Sequence, residues 1–230
     1  MAKLAQLGAT SDGSHDCLTT NRRMKADTAD FWKILSEEGQ YTDDDFTASN
    51  DSLMWSDKGE SNQWSNMDIT WKRATELSIN PKSLWGDGIS VDDINQGYIG
   101  NCWFMAAASA VAETPGRLES VFLNTETDLN SQGIYAVNFY ALGVPHSVVI
   151  DDQLPMNGNS LVMAKAGDDG SLWGALLEKA FSKYWGNYLR TEGGLGEFAI
   201  RTMTGAPYFD FHNASNSVDT VWNAVKEADE

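Results

Sequence analysis

The chain has 230 residues, which is enough for one large domain or two small ones. Its 33 acidic residues against 16 Lys and Arg give a formal net charge of −17. This balance argues against partners that present phosphate, both nucleic acids and anionic membrane surfaces. The longest apolar run, Cys102 to Ala112, is far shorter than the roughly 20 residues that a membrane-spanning helix needs. We therefore expect no membrane span.

The cysteines and the N-terminus indicate the compartment. Cys17 and Cys102 are the only cysteines, so the sequence offers neither a disulfide framework nor a cysteine-based zinc site. The first residues, Met1 to Leu7, lack the apolar stretch of a secretory signal. Together these features predict an intracellular protein, in a reducing compartment such as the cytoplasm.

The N-terminal part of the chain is poor in residues that could be buried. Residues 8–20 are rich in Gly, Ser, Thr and Asp, and we interpret residues 1–40 as a flexible or partner-dependent arm. Within it, Phe31 to Leu35 could form one short amphipathic turn. From residue 41 to 230 we predict a single folded core. The aromatic residues scattered between Tyr41 and Asn66 suggest that this polar stretch is pinned onto that core.

The middle of the chain predicts a helix followed by strands. The run Cys102 to Ala112 is rich in alanine and apolar almost all round, which predicts a helix buried on every face with Asn101 as its N-cap. Residues 134–140 and 147–150 are β-rich, and Pro155 to Gly158 has the composition of a turn. We expect a three-stranded antiparallel piece here.

Two further helices complete the predicted order. Residues 174–185 carry apolar side chains at helical spacing, and a last helix is predicted to begin after Ser217 as N-cap. Its apolar stripe consists of Val218, Val221, Trp222 and Val225. A helix, then strands, then helices is the order of an α+β fold and differs from a βαβ repeat.

The segment from Gln96 to Trp103 carries the chemistry. A thiol in the first turn of a helix faces the positive end of the helix dipole, which favours the thiolate. The side chain of Gln96 and the backbone N–H of Cys102 could together form an oxyanion hole. Gly97 and Gly100 allow a tight approach loop, and Trp103 would wall the site. The alternative interpretation is that Cys102 is a small apolar residue inside a buried helix.

This segment resembles the active-site sequence of the calpain family of papain-like cysteine proteases. The resemblance runs from about Tyr41 to the end, and it implies the nucleophile-bearing first half of a papain-like core. The further matching stretches are Tyr41-Thr42-Asp43-x-x-Phe46, Ser52-Leu53, Trp71-Lys72-Arg73, Val148-Val149-Ile150-Asp151-Asp152-x-Leu154-Pro155, Leu172-Trp173-x-Ala175-Leu176-Leu177-Glu178-Lys179-Ala180, Gly193-Gly194 and Thr204-Gly205. Ala74 stands where the family usually has Pro.

The resemblance implies roles for particular residues. Cys102 would be the nucleophile and Gln96 the oxyanion-hole donor of a calcium-dependent endopeptidase. A calcium ion would be bound by Asp93 and by the backbone carbonyls of Gly86 and Gly88. The family's second acidic ligand is replaced here by Ser171, which predicts weak binding. The nearby acids Asp168 and Asp169 are possible substitutes. The alternative for Asp93 is that it only caps and solvates a loop.

The base and its orienting Asn are missing from the resemblance. A papain-type site uses a His and an Asn roughly 130–150 residues after the nucleophile, beyond Glu230. Of the three histidines, His15 lies in the arm, His146 starts a strand, and His212 has an adjacent asparagine but falls in a structural part of the resemblance. We therefore expect an incomplete triad and no activity from this chain alone.

Two interpretations of function from different classes remain open. In the first, the chain is half of a protease that acts on a protein or peptide substrate, and a second polypeptide completes the exposed half-site. In the second, it is a non-catalytic interaction or structural subunit of a larger intracellular assembly. A redox-sensing role for Cys102 is a third, minor possibility.

Overall fold

The computed structural model describes residues 29–61, 63–79, 82–208 and 216–228. The helices are α1 (Phe31–Ser36), α2 (Asn50–Leu53), α3 (Cys102–Ala112), α4 (Trp173–Trp185), α5 (Gly196–Thr204) and α6 (Val218–Ala228). The strands are β1 (Ile69–Arg73), β2 (Ile134–Ala141), β3 (Val144–Asp151), β4 (Gln153–Asn157) and β5 (Ser160–Leu161). This mixture of helices with small antiparallel sheets confirms the predicted α+β class.

The strands form two sheets, where the sequence predicts one three-stranded piece. β2 and β3 form a hairpin in which Ile134 lies opposite Asp151, while β4 pairs with β1 on one side and β5 on the other. The chain changes sheet at Asp152. The carboxylate of Asp152 accepts hydrogen bonds from Arg73 Nη1 at 2.8 Å and from the backbone N–H of Ala74 at 3.1 Å. These long-range bonds join β4 to β1, and nothing local predicts them.

The turn predicted at Pro155 to Gly158 is misplaced by two residues. Pro155 and Met156 are strand residues of β4, and the chain reverses only at Gly158, whose φ is +61°. Pro155 lies opposite Trp71 of β1, and it has no N–H to donate to the ladder. A glycine supplies the left-handed conformation that the turn into β5 requires.

Helices α3 and α4 form the centre of the core. Phe104 of α3 stacks on Phe181 of α4, with ring centroids 3.8 Å apart, and Phe139 of β2 meets Phe181 edge-on at 5.8 Å. The prediction that α3 is buried on every face is wrong, because Cys102, Ala106 and Ala110 are exposed. These residues are spaced four apart and lie along one stripe of the helix. Because all three side chains on this stripe are small, the hydrophobic pattern of the sequence does not distinguish the exposed stripe from the buried faces of the helix.

The first described residues pack against the hairpin. The amphipathic turn predicted at Phe31 to Leu35 is helix α1, and Phe31 is buried against Ile134, Ala136 and Val149. The predicted arm therefore contacts its own chain from residue 29 onward. Residues 1–28 lie outside the described residues, and the arm stays a prediction for them.

The aromatic residues between residues 41 and 66 are buried as predicted. Phe46 and Trp64 share a hydrophobic cluster with Ile99 and Tyr188, so the polar stretch is attached to the core close to the loop that precedes Cys102. This cluster connects residues 41–66, called the entry segment below, to the candidate active site.

The last helix begins where the sequence predicts. Ser217 Oγ accepts the backbone N–H of Thr220 at 3.2 Å, which is the expected N-cap bond. Its apolar side chains are nevertheless exposed, at 84% for Val218 and 60% for Trp222. None of the helices in the described ranges combines the length and hydropathy of a membrane span.

Candidate active site

Cys102 lies at the N-terminus of α3 with its side chain exposed. The carbonyl of Asn101 accepts the N–H groups of Phe104 at 2.9 Å and Met105 at 3.1 Å, so the helix begins directly at the thiol. The alternative interpretation of Cys102 as a buried apolar residue is wrong. A thiol in this position is accessible and lies beside the positive end of the helix dipole.

The loop before Cys102 is shaped by close backbone contacts. A Cβ atom on Gly97 would lie 2.1 Å from the carbonyl oxygen of Met163, so only glycine fits there. The next residue, Tyr98, donates its N–H to the carbonyl of Val162 at 2.9 Å. The carbonyl of Gly100 accepts the N–H of Gly193 at 3.0 Å. The two predicted glycines therefore hold the loop between two neighbouring segments of backbone.

Gln96 lies at the start of this loop, and its side chain turns back onto the loop. Its Nε2 donates to the carbonyl of Ile99 at 2.6 Å. Because a side-chain amide nitrogen has two N–H groups, this bond orients Nε2 and is compatible with a second donation. The structure thus places Gln96 and Cys102 at the two ends of one constrained loop.

Trp103 attaches a neighbouring loop to the first turn of α3. Its indole Nε1 donates to the carbonyl of Thr191 at 2.8 Å, and its ring packs edge-on to Phe181. A Cβ atom on Gly194 would lie 2.4 Å from this ring. The half-buried indole thereby holds residues 191–194 beside the first turn of α3.

Sequence reasoning missed the residue that lies beneath this loop. Glu178 of α4 is fully buried, and its two carboxylate oxygens accept Asn101 Nδ2 and the backbone N–H of Ala164, each at 2.7 Å. Burial raises the pKa of Glu178 to about 7, although these two bonds and Lys165 oppose the shift. Asn101 was predicted as an N-cap, but its side chain bonds to Glu178 and does not cap the helix. The available signal was an acidic residue that directly follows the apolar run Ala175 to Leu177 of this helix.

The acidic loop predicted to bind calcium is well ordered by hydrogen bonds. Asp93 is buried, and its Oδ2 accepts the N–H of Ser90 at 2.8 Å and Trp173 Nε1 at 3.0 Å. The backbone N–H of Asp87, between Gly86 and Gly88, donates to Asp169 Oδ2 at 2.8 Å. Capping is therefore one function of Asp93, as the alternative interpretation holds.

A small cradle of oxygen atoms lies beside Gly167. The position that a Cβ atom on Gly167 would take is 2.3 Å from Ser171 Oγ, 2.9 Å from Asp169 Oδ1 and 3.0 Å from Asp93 Oδ1. Ser171 Oγ is buried and lies close enough to the Asp169 carboxylate to help lower its pKa. Burial alone would raise the pKa of Asp169, but the N–H groups of Ser171 and Asp87 outweigh it and lower that pKa. These oxygen donors suit a hard cation.

The cradle falls short of a site made of side chains alone. Within the described ranges, no three His, Cys, Asp or Glu side chains are grouped so that they could hold a metal ion. A cation at this position would therefore need backbone carbonyls or Ser171 in addition to Asp93 and Asp169. The glycines predicted to supply such carbonyls both have positive φ, +63° for Gly86 and +129° for Gly88.

The structure describes one of the three histidines, His146. His146 is in β3, opposite Phe139 and close to the hairpin turn at residues 142–143. His15 and His212 lie outside the described residues. In the described part of the chain, the candidate site thus consists of the Cys102 thiol, the Gln96 amide and the segments that orient them.

A helical subdomain with a thiol at the start of its central helix defines a class, the nucleophile-bearing part of a papain-like cysteine protease core. A model of the calpain family cysteine proteases matches residues 41–230. The chain belongs to this calpain family.

The chain is also similar to individual calpains over most of its length. It is 34% identical to Calpain-5 of Mus musculus over 178 residues, covering 74% of this chain and 27% of the relative. The identity is also 34% to Calpain-5 of Caenorhabditis elegans, covering 74% and 26%, and to Calpain-9 of Homo sapiens, covering 72% and 23%. The chain spans about a quarter of the length of these relatives.

Proposed function

We propose that this chain is the nucleophile-bearing half of a calcium-dependent cysteine endopeptidase, with Cys102 as nucleophile. The observation that carries the proposal is the exposed thiol at the N-terminus of an otherwise largely buried helix. Membership in a protease family supports it and implies a protein or peptide as substrate. An intracellular, cytoplasmic location is part of the same proposal.

The residues support the first half of an acyl-transfer reaction. The sulfur of Cys102 attacks the scissile carbonyl carbon, and the negative charge moves to the carbonyl oxygen. The N–H of Cys102 and Nε2 of Gln96 would donate to that oxygen. Collapse to a thioester expels the amine, which needs a proton from a base that took one from the thiol. A His oriented by an Asn would supply this step from a second subdomain or polypeptide.

The exposed stripe of α3 supports the idea of a completing partner. Cys102, Ala106 and Ala110 form a narrow surface of small side chains along which another element could approach the thiol closely. In the proposed enzyme, the substrate cleft lies between this surface and the partner.

The activity is tested with the purified chain, a fluorogenic peptide and millimolar calcium. We expect no turnover above a Cys102→Ala control, because removing members of such a catalytic unit costs on the order of 10⁴- to 10⁶-fold in rate. Adding a second subdomain that carries the family's His and Asn should produce turnover. That turnover should survive Cys17→Ala, disappear in Cys102→Ala and fall about 10²-fold in Gln96→Ala. Turnover by the chain alone would contradict the half-site and assign the base to His146 or His212.

We further propose that calcium binds weakly at the cradle beside Gly167. Asp93 and Asp169 would provide the charge, Ser171 stands where the family has its second acidic ligand, and the carbonyls of Gly86 and Gly88 would complete the ligand set. The buried hydroxyl of Ser171 and the convergence of the two carboxylates support this proposal. Calcium bound there would join the 86–93 loop, which precedes Gln96, to the start of α4.

Calorimetric titration of the chain with calcium tests the cradle. We expect a millimolar dissociation constant, tightened by Ser171→Glu and abolished by Asp169→Asn. Asp168→Asn is the matched control, because Asp168 is the exposed neighbour and should leave binding unchanged. A submicromolar constant, or equal effects of the two Asn variants, would contradict this ligand set.

A non-catalytic subunit is the second candidate function. The observation that favours it is the exposed apolar face of α6, where Val225 is 54% exposed in addition to Val218 and Trp222. If a partner bound this face while Cys102 stayed unreactive towards alkylating reagents in the complex, the interaction role would replace the enzymatic one.

A further inference from the structure

Glu178 connects the start of the nucleophile helix to a separate segment of the chain. Its side chain is fully buried on α4, with Oε1 accepting Asn101 Nδ2 and Oε2 accepting the N–H of Ala164. Asn101 is itself fully buried and directly precedes Cys102. Ala164 follows Val162 and Met163, whose carbonyls contact the loop at Gly97 and Tyr98. The carboxylate is thus bonded to the residue that precedes Cys102 and to the segment against which the loop packs.

Two buried oxygen atoms near this carboxylate lack hydrogen-bond partners. They are Asn101 Oδ1 and Tyr188 Oη, which have none among the described residues. An ionised carboxylate only accepts, so it can hold both N–H donors and offers nothing to Asn101 Oδ1. A protonated carboxyl group carries an O–H on one oxygen, which then accepts more weakly and needs an acceptor of its own. Asn101 Oδ1, on the same amide group that bonds to Glu178, is available as an acceptor for this O–H.

The charged and titratable groups around Glu178 come from three segments. Lys165 lies on the 161–166 segment and favours the ionised carboxyl, but less strongly than burial disfavours it. Tyr188 lies after α4, and burial, with Glu178 and Asp151, raises the pKa of its phenol, so it stays neutral. Asn101 and Ala164 contribute neutral donors only. Burial raises the pKa of Glu178 to about 7, and among the described residues no Lys or Arg side chain bonds directly to its carboxyl group.

We propose that Glu178 is a positioning residue for Cys102: in its ionised form it holds Asn101 against Ala164, and on protonation it releases the start of α3. The inference rests on the proposed role of Cys102 as nucleophile. Cys102 would then respond to pH in two ways, through its own ionisation and through the arrangement of the loop that carries it.

Alkylation kinetics of a single thiol test this inference. In a Cys17→Ala background, the rate constant for the reaction of Cys102 with iodoacetamide is measured from pH 5 to 9. We expect two inflections, one from the thiol and one near pH 7. Glu178→Gln should lose the inflection near pH 7, whereas Glu178→Asp, which keeps an ionisable carboxyl, should retain a second inflection. A purely structural role would lower the rate at all pH values without removing an inflection.

Glu192→Gln is the matched control for the change of charge. The carboxylate of Glu192 lies beside Gly100, which belongs to the loop that presents Cys102. Glu192 is exposed, and its carboxylate accepts Gln63 Nε2 at 2.7 Å. This variant should keep both inflections. If it lost the inflection near pH 7 as Glu178→Gln does, a general charge effect would replace the proposal.

The wild-type profile keeps the test decisive if Glu178→Gln fails to fold. A profile that fits one ionisation contradicts the positioning role while leaving the proposed function intact. A Cys102 that reacts more slowly than the same thiol in the urea-unfolded chain, across the whole pH range, contradicts the proposed function itself and the inference with it.

Discussion

Helix α4 carries two adjacent buried ionisable residues, of which one has a direct partner of opposite charge and the other has neutral partners. Glu178 and Lys179 both have no exposed surface, and they point to different regions. Lys179 pairs with the carboxylate of Asp151 and donates to the carbonyl of Gln153 at 2.7 Å. Among the described residues, Glu178 bonds to the neutral donors of Asn101 and Ala164 and to no cation. One region balances its buried charge with an opposite charge, and the other does not.

The Lys179 region joins several elements through alternating charges. Lys183 pairs with Asp43 at 2.9 Å, and Arg73 pairs with Asp152 at 2.8 Å, on either side of the pair between Lys179 and Asp151. These pairs link α4 to β3, β1 and the entry segment. Burial alone would raise the pKa of Asp151, but Lys179 and the N–H of Asp43 outweigh it and lower that pKa. Asp151 therefore stays ionised at neutral pH and holds the architecture.

Asp151 and Glu178 differ in whether their charge is expected to change near neutral pH. Asp151, with Lys179 as a direct cationic partner, keeps its charge, so its bonds are constant over the physiological range. A buried carboxylate with neutral donors changes its charge near pH 7. The responsive group lies beneath the loop that presents Cys102, and the constant group lies on the side of α4 that faces the sheets.

Breaking the structural pair should have the largest effect on stability. Lys179→Met leaves Asp151 buried without its cation, and we expect a loss of about 3–5 kcal/mol in the free energy of unfolding. Urea denaturation at pH 7 measures it. Replacing both partners, as in Lys179→Met with Asp151→Leu, should recover part of the loss. A change below about 1 kcal/mol in the single variant would contradict the central role of the pair.

Removing the unbalanced charge should change the pH dependence of stability. The folded-state pKa of Glu178 is about 7 against 4.5 for the model group, so the folded state binds more protons between these values. This group therefore makes the free energy of unfolding fall as pH rises from 4.5 to 7. Relative to wild type, Glu178→Gln should gain up to about 3 kcal/mol across that window. Denaturation at pH 5 and pH 7.5 measures the difference, and a pH-independent difference would contradict the buried, unbalanced carboxyl.

An exposed ion pair shows how much of the stability contributed by the Lys179 pair depends on burial. Lys33 and Glu37 are one helical turn apart at 3.8 Å, and both side chains are mainly exposed. Glu37→Gln should change the free energy of unfolding by less than about 0.5 kcal/mol, because solvent and salt screen such pairs. The same urea measurement at pH 7 applies. A loss comparable to that of Lys179→Met would show that burial does not distinguish the two pairs.

Local sequence patterns predicted the helix that begins at Cys102, the loop before it and the last helix. The bounds of the helix at Cys102, the loop glycines and the final helix after Ser217 agree with the structure, because alanine content, capping residues and turn residues act over a few neighbouring positions. The pairing of β4 was not predictable in this way. It depends on Asp152 meeting Arg73 and Ala74, which are distant in the chain.

Composition, periodicity and motifs were enough to predict the class of fold, the family resemblance and Cys102 and Gln96 as candidate site residues. Only the tertiary structure decided which face of α3 is exposed, which sheet receives β4, and that Glu178 lies beneath the thiol with neutral partners. The physical reason is that propensity and periodicity report on neighbours along the chain. Burial, desolvation and the supply of a countercharge depend on residues that only folding brings together.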